Sequence, residues 1–127
     1  SHVFCNENQI KQMLVALLVN SADAMPDGGT LTVTTRCLPA EDAVELQISD
    51  TGIGIPEDVL PHIFEPFFTT KKEGSGSGLG LSVVYGIVQR HQGLIHVESK
   101  PGKGTTFLIK LPKHPKPPKE SLSDILA

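Results

Sequence analysis

The feature of this chain that most constrains its fold is the order of its helix and strand patterns. Two helical patterns each precede a pair of strand patterns: 6–25 before 30–36 and 43–49, then 79–92 before 94–99 and 105–111. Leu31 and Val33 match the spacing of the apolar residues in the next run, as expected of antiparallel strands covered on one face. The sequence therefore predicts an α/β two-layer sandwich, with helices on one face of a mixed, mostly antiparallel sheet.

Single residues refine this arrangement. Asn6 is a predicted N-cap, Gly93 stands where the second helix needs a C-terminal cap, and Pro56 suits the first turn of a short helix at 56–62. Cys5 and Cys37 could form one bridge, but buried free thiols are expected. One face of the first helix is predicted to be buried and comprises Ile10, Met13, Leu14, Leu17, Leu18, Ser21 and Met25.

Length and charge exclude several classes of protein. The 127 residues suffice for one domain with a real core, and a net charge of -3 gives no reason to expect nucleic acid or an anionic membrane as partner. No apolar run approaches the 18 or so residues that span a bilayer. No signal peptide is recognised, so any membrane anchor of the parent protein is expected outside these residues.

Asn20 is the first candidate site residue. It shares a stripe of the first helix with Ala16, Asp23 and Ala24, at the rim of the face predicted to be buried. A carboxamide oxygen is a hard ligand that suits Mg²⁺ carried on a polyphosphate. Taken alone, Asn20 could instead cap or bridge polar groups at the rim of the core.

Asp50 ends a strand and is followed by Gly52 and Gly54. A carboxylate there can accept a hydrogen bond from an exocyclic amine, while the bare backbone lets a flat ring lie close. The stretch DTGIG at 50–54 could also form an ordinary Asp-Gly turn.

The stretch GSGSGLGLS at 74–82 has the composition of a phosphate-binding loop but fits neither the dinucleotide fingerprint nor the Walker pattern. A helix follows it, so unpaired backbone N–H groups and the helix dipole would favour an anion. By itself the stretch could also be a flexible linker.

Together these motifs resemble the ATP-binding fold of sensor histidine kinases, DNA gyrase B, mismatch-repair ATPases and heat-shock chaperones, a Bergerat-type fold. FEPFFTTK at 64–71 resembles the aromatic box that histidine kinases place before their ATP lid, and GLIHVES…GKGTTFLIKLP resembles the end of that domain. The resemblance begins at residue 3 and indicates an ATP-binding catalytic domain at 1–112, followed by a Pro/Lys-rich tail or linker at 113–127.

The resemblance implies roles for individual residues. Asp50 would bind the adenine amine and Thr105 would share a bridging water, in a base pocket lined by Gly52, Gly54 and Ile55. Asn20 would coordinate Mg²⁺, with Asp23 and Ala24 beside it. The lid and the helix that follows would meet the phosphates through Lys71, Gly76, Ser77, Gly78, Leu79, Gly80 and Leu81.

Two positions depart from the family pattern. Ala16 stands where histidine kinases usually have a second Asn and hydrolysing relatives a Glu, so hydrolysis by this chain is expected to be negligible. Asp23 stands where many kinases have Lys or Arg.

The five histidines lie in no His-Glu-x-x-Asn-Pro context, so the phosphorylated histidine is expected on a separate domain.

The predicted function is therefore that of a sensor histidine kinase catalytic domain. It would be cytoplasmic, monomeric in isolation, and would use ATP and Mg²⁺ with a dimerisation-histidine domain and a downstream response regulator. The alternatives are a non-enzymatic nucleotide-binding module and a serine kinase of the anti-sigma type, against which FEPFFTTK argues.

Overall fold

A computed structural model describes residues 5–66 and 80–115. Its elements, in chain order, are helix α1 (Glu7–Asp23), strands β1 (Leu31–Leu38) and β2 (Ala43–Asp50), helix α2 (Gly80–Arg90), and strands β3 (Leu94–Lys100) and β4 (Gly104–Pro112). Two short 3₁₀ turns lie at Pro39–Glu41 and Leu60–His62. The predicted order of elements is confirmed.

The strands form one sheet in the order β1-β2-β4-β3, and all pairings among these described strands are antiparallel. Both helices cover the same face, because their buried side chains join those of the central strands in one apolar core. That core comprises Met13, Leu17, Ile48, Ile63, Val84, Ile87, Val88, Phe107, Ile109 and Leu111. The structure therefore confirms the predicted two-layer sandwich, although the described strands form an antiparallel sheet rather than a mixed one.

The N-cap of α1 also fixes the two helices to each other. The Asn6 side chain accepts a hydrogen bond from the Gln9 N–H at 3.1 Å, and the Asn6 N–H donates to Nε2 of buried His91 at 3.0 Å. Nδ1 of His91 lies 2.8 Å from the Ile87 carbonyl oxygen, which can only accept, so Nδ1 carries the proton. A neutral imidazole thus joins the start of α1 to the end of α2.

Replacing Asn6 by alanine is expected to lower the free energy of unfolding by about 1 kcal/mol, because the Gln9 N–H loses its partner. The backbone bond to His91 remains. The urea midpoint of unfolding measures the change. Asn8→Ala is the matched control, an exposed Asn in the same first turn. An equal loss in both variants would contradict the assignment of Asn6 as the cap.

The face of β1 was predicted to be covered, and this is wrong. Leu31 and Val33 are 39% and 51% exposed, because β1 is the edge strand and the helices pack over the strands beyond it. Leu18, assigned to the buried face of α1, is 37% exposed. Val33 pairs with buried Ile48 and lies on the same face of the sheet, as predicted. The helices do not cover it there, so the prediction that it is buried is wrong.

The predicted cap at Gly93 needs correction too. Gln92 adopts the left-handed conformation (φ 58), and the N–H groups of Gln92 and Gly93 bond the carbonyls of Gln89 and Val88. This is a Schellman motif with Gln92 at its left-handed position. Gly93 is required for another reason, since a Cβ there would lie 2.5 Å from the Lys110 carbonyl oxygen.

Two smaller expectations fail. Residues 56–62 do not form one helix: Pro56 accepts turn hydrogen bonds from Val59 and Leu60, and the 3₁₀ turn begins only at Leu60. Both cysteines are thiols, as expected, but both are exposed. These errors concern surface segments and leave the core unchanged.

Candidate functional site

Asp50 is the central residue of the candidate site. It is the last residue of β2 and is only 4% exposed. Its Oδ1 accepts a hydrogen bond from the Gly52 N–H at 2.9 Å. Its Oδ2 is buried and has no hydrogen-bond partner within residues 5–66 and 80–115. A buried acceptor without a partner is costly, so this oxygen is suited to a donor from a ligand or an ordered water.

The loop after Asp50 is fixed by close backbone contacts that only glycine permits. A Cβ at Gly52 would lie 2.4 Å from the carbonyl oxygen of Ala24, and a Cβ at Gly54 (φ 75) would lie 2.1 Å from that of Lys100. Between them, Ile53 donates its N–H to the Ala24 carbonyl at 2.9 Å and accepts from the Gly102 N–H at 2.7 Å. The loop is thereby joined to both the end of α1 and the β3–β4 turn.

A hydroxyl pair lies beside Asp50 on the helix-covered face. The strand register places Asp50 opposite Thr105, and Thr105 opposite Ser99. The Oγ atoms of Ser99 and Thr105 are 2.7 Å apart. Ser99 Oγ also accepts from the Ile55 N–H at 2.7 Å. The predicted pocket residues Asp50, Thr105 and Ile55 are therefore brought together, with Ser99 between two of them.

The end of α1 lies next to this loop, because Ala24 contacts it directly. Asn20 is one helical turn earlier, half-buried, and its carboxamide has no partner among the described residues; the Asn20 carbonyl accepts from the Ala24 N–H. Asp23 is exposed. A half-buried amide oxygen without a partner would suit a hard cation as a ligand.

Part of the predicted phosphate-binding segment lies outside the described residues, namely Lys71, Gly76, Ser77, Gly78 and Leu79. Gly80 is the first residue of α2, and a Cβ there would meet nothing within 4 Å. Leu81 packs against the apolar core, so only its backbone could contact an anion. The two described positions are thus compatible with an anion at the start of α2.

One residue of the site was not predicted, and one buried polar residue of α1 has no assigned role. Ser99 was assigned only to a strand, and its contacts depend on a cross-strand register that no local pattern reveals. Ser21 is fully buried, and its hydroxyl has no partner within the described part of the chain. It follows Asn20 directly, and its burial was predicted from its place on the apolar face of the first helix.

These groups together accept hydrogen bonds around an open backbone. Asp50 and Thr105 supply oxygen acceptors, and Gly52 and Gly54 bring bare backbone close to them. Such an arrangement can hold a flat ring that carries an amine.

Comparisons with known proteins identify the family of this chain. The family described as histidine kinase-, DNA gyrase B- and HSP90-like ATPases matches residues 5–115. The sensor kinase CckA of Brucella abortus (strain 2308) is 52% identical over 118 residues, covering 83% of this chain and 12% of its own length. This chain therefore spans a small part of that relative.

Solved structures give the same result. The catalytic domain of the histidine kinase ThkA has a TM-score of 0.77 at 34% identity, covering 89% of this chain and 72% of its own. Full-length ShkA in complex with AMPPNP has a TM-score of 0.72 at 27% identity, covering 82% and 21%. Since the family matches nearly the whole described chain, this protein belongs to the histidine kinase-, gyrase B- and HSP90-like ATPases and is homologous to the catalytic domains of sensor histidine kinases.

Proposed function

We propose that this chain binds Mg-ATP and presents the γ-phosphate for transfer to a histidine on a separate dimerisation domain, upstream of a response regulator. The observation that carries this proposal is the buried Oδ2 of Asp50, which has no partner in the described residues and lies among glycines. An adenine amine supplies the missing donor. The family match and the AMPPNP bound to the similar ShkA support the choice of an adenine nucleotide.

In this proposal the residues of the chain act by positioning. Asp50 and the Thr105 hydroxyl hold the base, while Gly52, Gly54 and Ile55 form the wall of its pocket. The start of α2, at Gly80 and Leu81, receives phosphate, together with Lys71 and the 76–79 stretch. Phosphoryl transfer needs in-line placement and charge stabilisation more than covalent help from the protein, so a binding domain can serve as a catalytic part.

Asn20 would hold Mg²⁺ in the ATP complex. When bound, the ion would neutralise charge on the phosphates. Asp23 and Ala24 lie at the same end of α1: Asp23 is exposed, and the Ala24 carbonyl already accepts from Ile53. Their proposed contribution is therefore to the shape and charge of the pocket mouth.

The chain is further proposed to be cytoplasmic and monomeric, with a domain at 1–112 and a tail or linker at 113–127. No helix within residues 5–66 and 80–115 is long and apolar enough to cross a membrane. Strand β4 ends at Pro112, and the next two residues contact Asp42: the Lys113 N–H bonds its carbonyl, and His114 its carboxylate. Residues 113 and 114 of the proposed tail thus contact the residue that precedes β2.

The test is phosphotransfer from γ-labelled ATP to a dimerisation-histidine domain of a sensor kinase, with and without this chain. We expect labelled histidine, lost in acid, only when both parts are present. Nucleotide binding without any transfer, across several such domains, would instead support a non-enzymatic nucleotide-binding module.

The chain alone is expected to release phosphate from ATP at far below ordinary enzyme rates of about 1 per second. Position 16 lies one turn before Asn20 and holds an alanine that packs against the core, where hydrolysing relatives place a carboxylate. Ala16 can neither orient water nor accept its proton. A coupled phosphate-release assay measures the rate, and steady turnover near 1 per second would place the chain with the hydrolysing branch.

A further inference from the structure

Thr51, the residue after Asp50, holds the loop that joins α1 to β1. Its N–H donates to the Thr30 carbonyl at 3.2 Å, and its Oγ1 accepts from the Thr30 N–H at 2.9 Å. The same hydroxyl donates to the sulfur of Met25 at 3.8 Å. Thr51 therefore contacts both ends of this loop, next to the end of α1 at Met25 and next to the start of β1 at Thr30.

Both side-chain contacts need the hydroxyl of Thr51 itself. The Thr30 N–H can only donate, so it uses a lone pair of Oγ1. The thioether of Met25 can only accept, and weakly, so the hydroxyl proton points to it. Gly29 lets the two groups meet, since a Cβ there would lie 2.6 Å from the Met25 sulfur and 2.7 Å from Thr51 Oγ1.

A second attachment holds the same end of α1 one residue earlier. The Ala24 carbonyl accepts from the Ile53 N–H at 2.9 Å, and the Ala24 N–H donates to the Asn20 carbonyl at 3.1 Å. A single attachment fixes the place of a helix end but lets the helix turn about that point, whereas two attachments also fix its orientation. Because Asn20 lies one helical turn before Ala24, the direction of its side chain depends on both attachments.

Asp50 and Asn20 are the two halves of the proposed nucleotide site, one for the base and one for the metal on the phosphates. A ligand that spans both halves needs them at a fixed spacing and orientation. We propose that Thr51 is a positioning residue, which orients the last turn of α1 so that Asn20 meets the metal while Asp50 holds the base. This inference rests on the proposed nucleotide site and deepens it, and Thr51 acts through Met25 and α1.

The experiment compares the dissociation constants of ADP in Mg²⁺ and in EDTA by calorimetry, and their ratio is the metal gain. Thr51→Val keeps the size and branching of an exposed side chain but removes its hydroxyl. The metal gain is expected to fall about fivefold, a change typical of one hydrogen bond. The affinity in EDTA is expected to stay close to that of wild type, because Asp50 remains in β2. Thr51→Ser keeps the hydroxyl and is expected to restore the metal gain.

Two glycines of the same loop provide a second variant and a matched control. Gly29→Ala places a methyl group where the Met25 sulfur and the Thr51 hydroxyl meet, and it is expected to lower the metal gain as Thr51→Val does. Gly28 has φ 92, and a Cβ there would meet nothing within 4 Å. Gly28→Ala is therefore expected to lower the urea midpoint of unfolding but to leave the metal gain unchanged, which separates lost stability from lost positioning.

A double variant tests whether Thr51 acts through Asn20. Asn20→Ala is expected to abolish the metal gain, and adding Thr51→Val is expected to weaken ADP binding in Mg²⁺ no further. A wild-type metal gain in both Thr51→Val and Gly29→Ala, an equal loss of affinity in Mg²⁺ and in EDTA, or a further loss in the double variant would overturn the role of Thr51.

The wild type distinguishes this inference from the function on which it rests. Equal ADP affinity of the wild type in Mg²⁺ and in EDTA would overturn both the metal role of Asn20 and the role of Thr51, while nucleotide binding would stand. A wild type that binds ADP in neither condition would overturn the proposed function itself.

Discussion

Alanine at position 54 is expected to lower the free energy of unfolding by roughly 3–5 kcal/mol, and nucleotide binding is expected to fail with it. Two costs combine. Gly54 has φ 75, a left-handed conformation that costs other residues about 1–2 kcal/mol. A Cβ would also lie 2.1 Å from the Lys100 carbonyl oxygen, which belongs to a strand end and cannot yield as a flexible side chain would.

Gly102 separates these two costs. Its φ is 77, nearly the same as that of Gly54, yet a Cβ there would meet nothing within 4 Å. Gly102→Ala is therefore expected to lower the free energy of unfolding only by the conformational term, about 1–2 kcal/mol. Urea unfolding of both variants gives the difference directly. Equal losses would show that the approach of Gly54 to Lys100 is not a constraint on the loop.

Replacing Asp50 by asparagine is expected to weaken ADP binding by about 1.5–3 kcal/mol, or roughly 10- to 150-fold. The amide oxygen can keep the bond to the Gly52 N–H. The amide NH₂ then stands at the position of Oδ2 and faces the adenine amine, donor against donor. Calorimetry with ADP measures the loss.

Glu98→Gln is the control for Asp50→Asn, since it removes the same charge near the same sheet end but from an exposed side chain on the other face. It is expected to change ADP affinity little.

The affinity of the Asp50→Asn variant for IDP should rise relative to wild type, because the 6-oxo group can accept a hydrogen bond from the new amide. ADP affinity that is the same in Asp50→Asn and wild type would remove Asp50 from the base pocket.

The fold was predictable where local rules decide it. The alternation of apolar and polar residues predicted the strands, and apolar residues at 3.6-residue spacing predicted the helices. The cap at Asn6 depends only on neighbouring residues in the chain. The family resemblance also named Asp50 and Thr105, which the structure places opposite each other. Their roles in binding nucleotide stay predictions until the calorimetry above is done.

The rest depended on tertiary arrangement. Nothing in the β1 sequence says that it lies at the sheet edge, where Val33 is half exposed despite its apolar pattern. Gly93 looked like a cap, yet it is constrained by Lys110, which is distant in sequence. Ser99 has the local pattern of an ordinary strand residue. Its contacts with Thr105 and Ile55 come from the register of β3 with β4 and from the loop after β2.

Ile53 shows how this domain can change its surface without disturbing its pocket. Its backbone joins α1 to the β3–β4 turn through both N–H and carbonyl, while its side chain is 65% exposed. Any residue except proline, which lacks the N–H, can make those two bonds. The side chain at position 53 can therefore be changed without loss of the two backbone bonds that join the end of α1 to the β3–β4 turn.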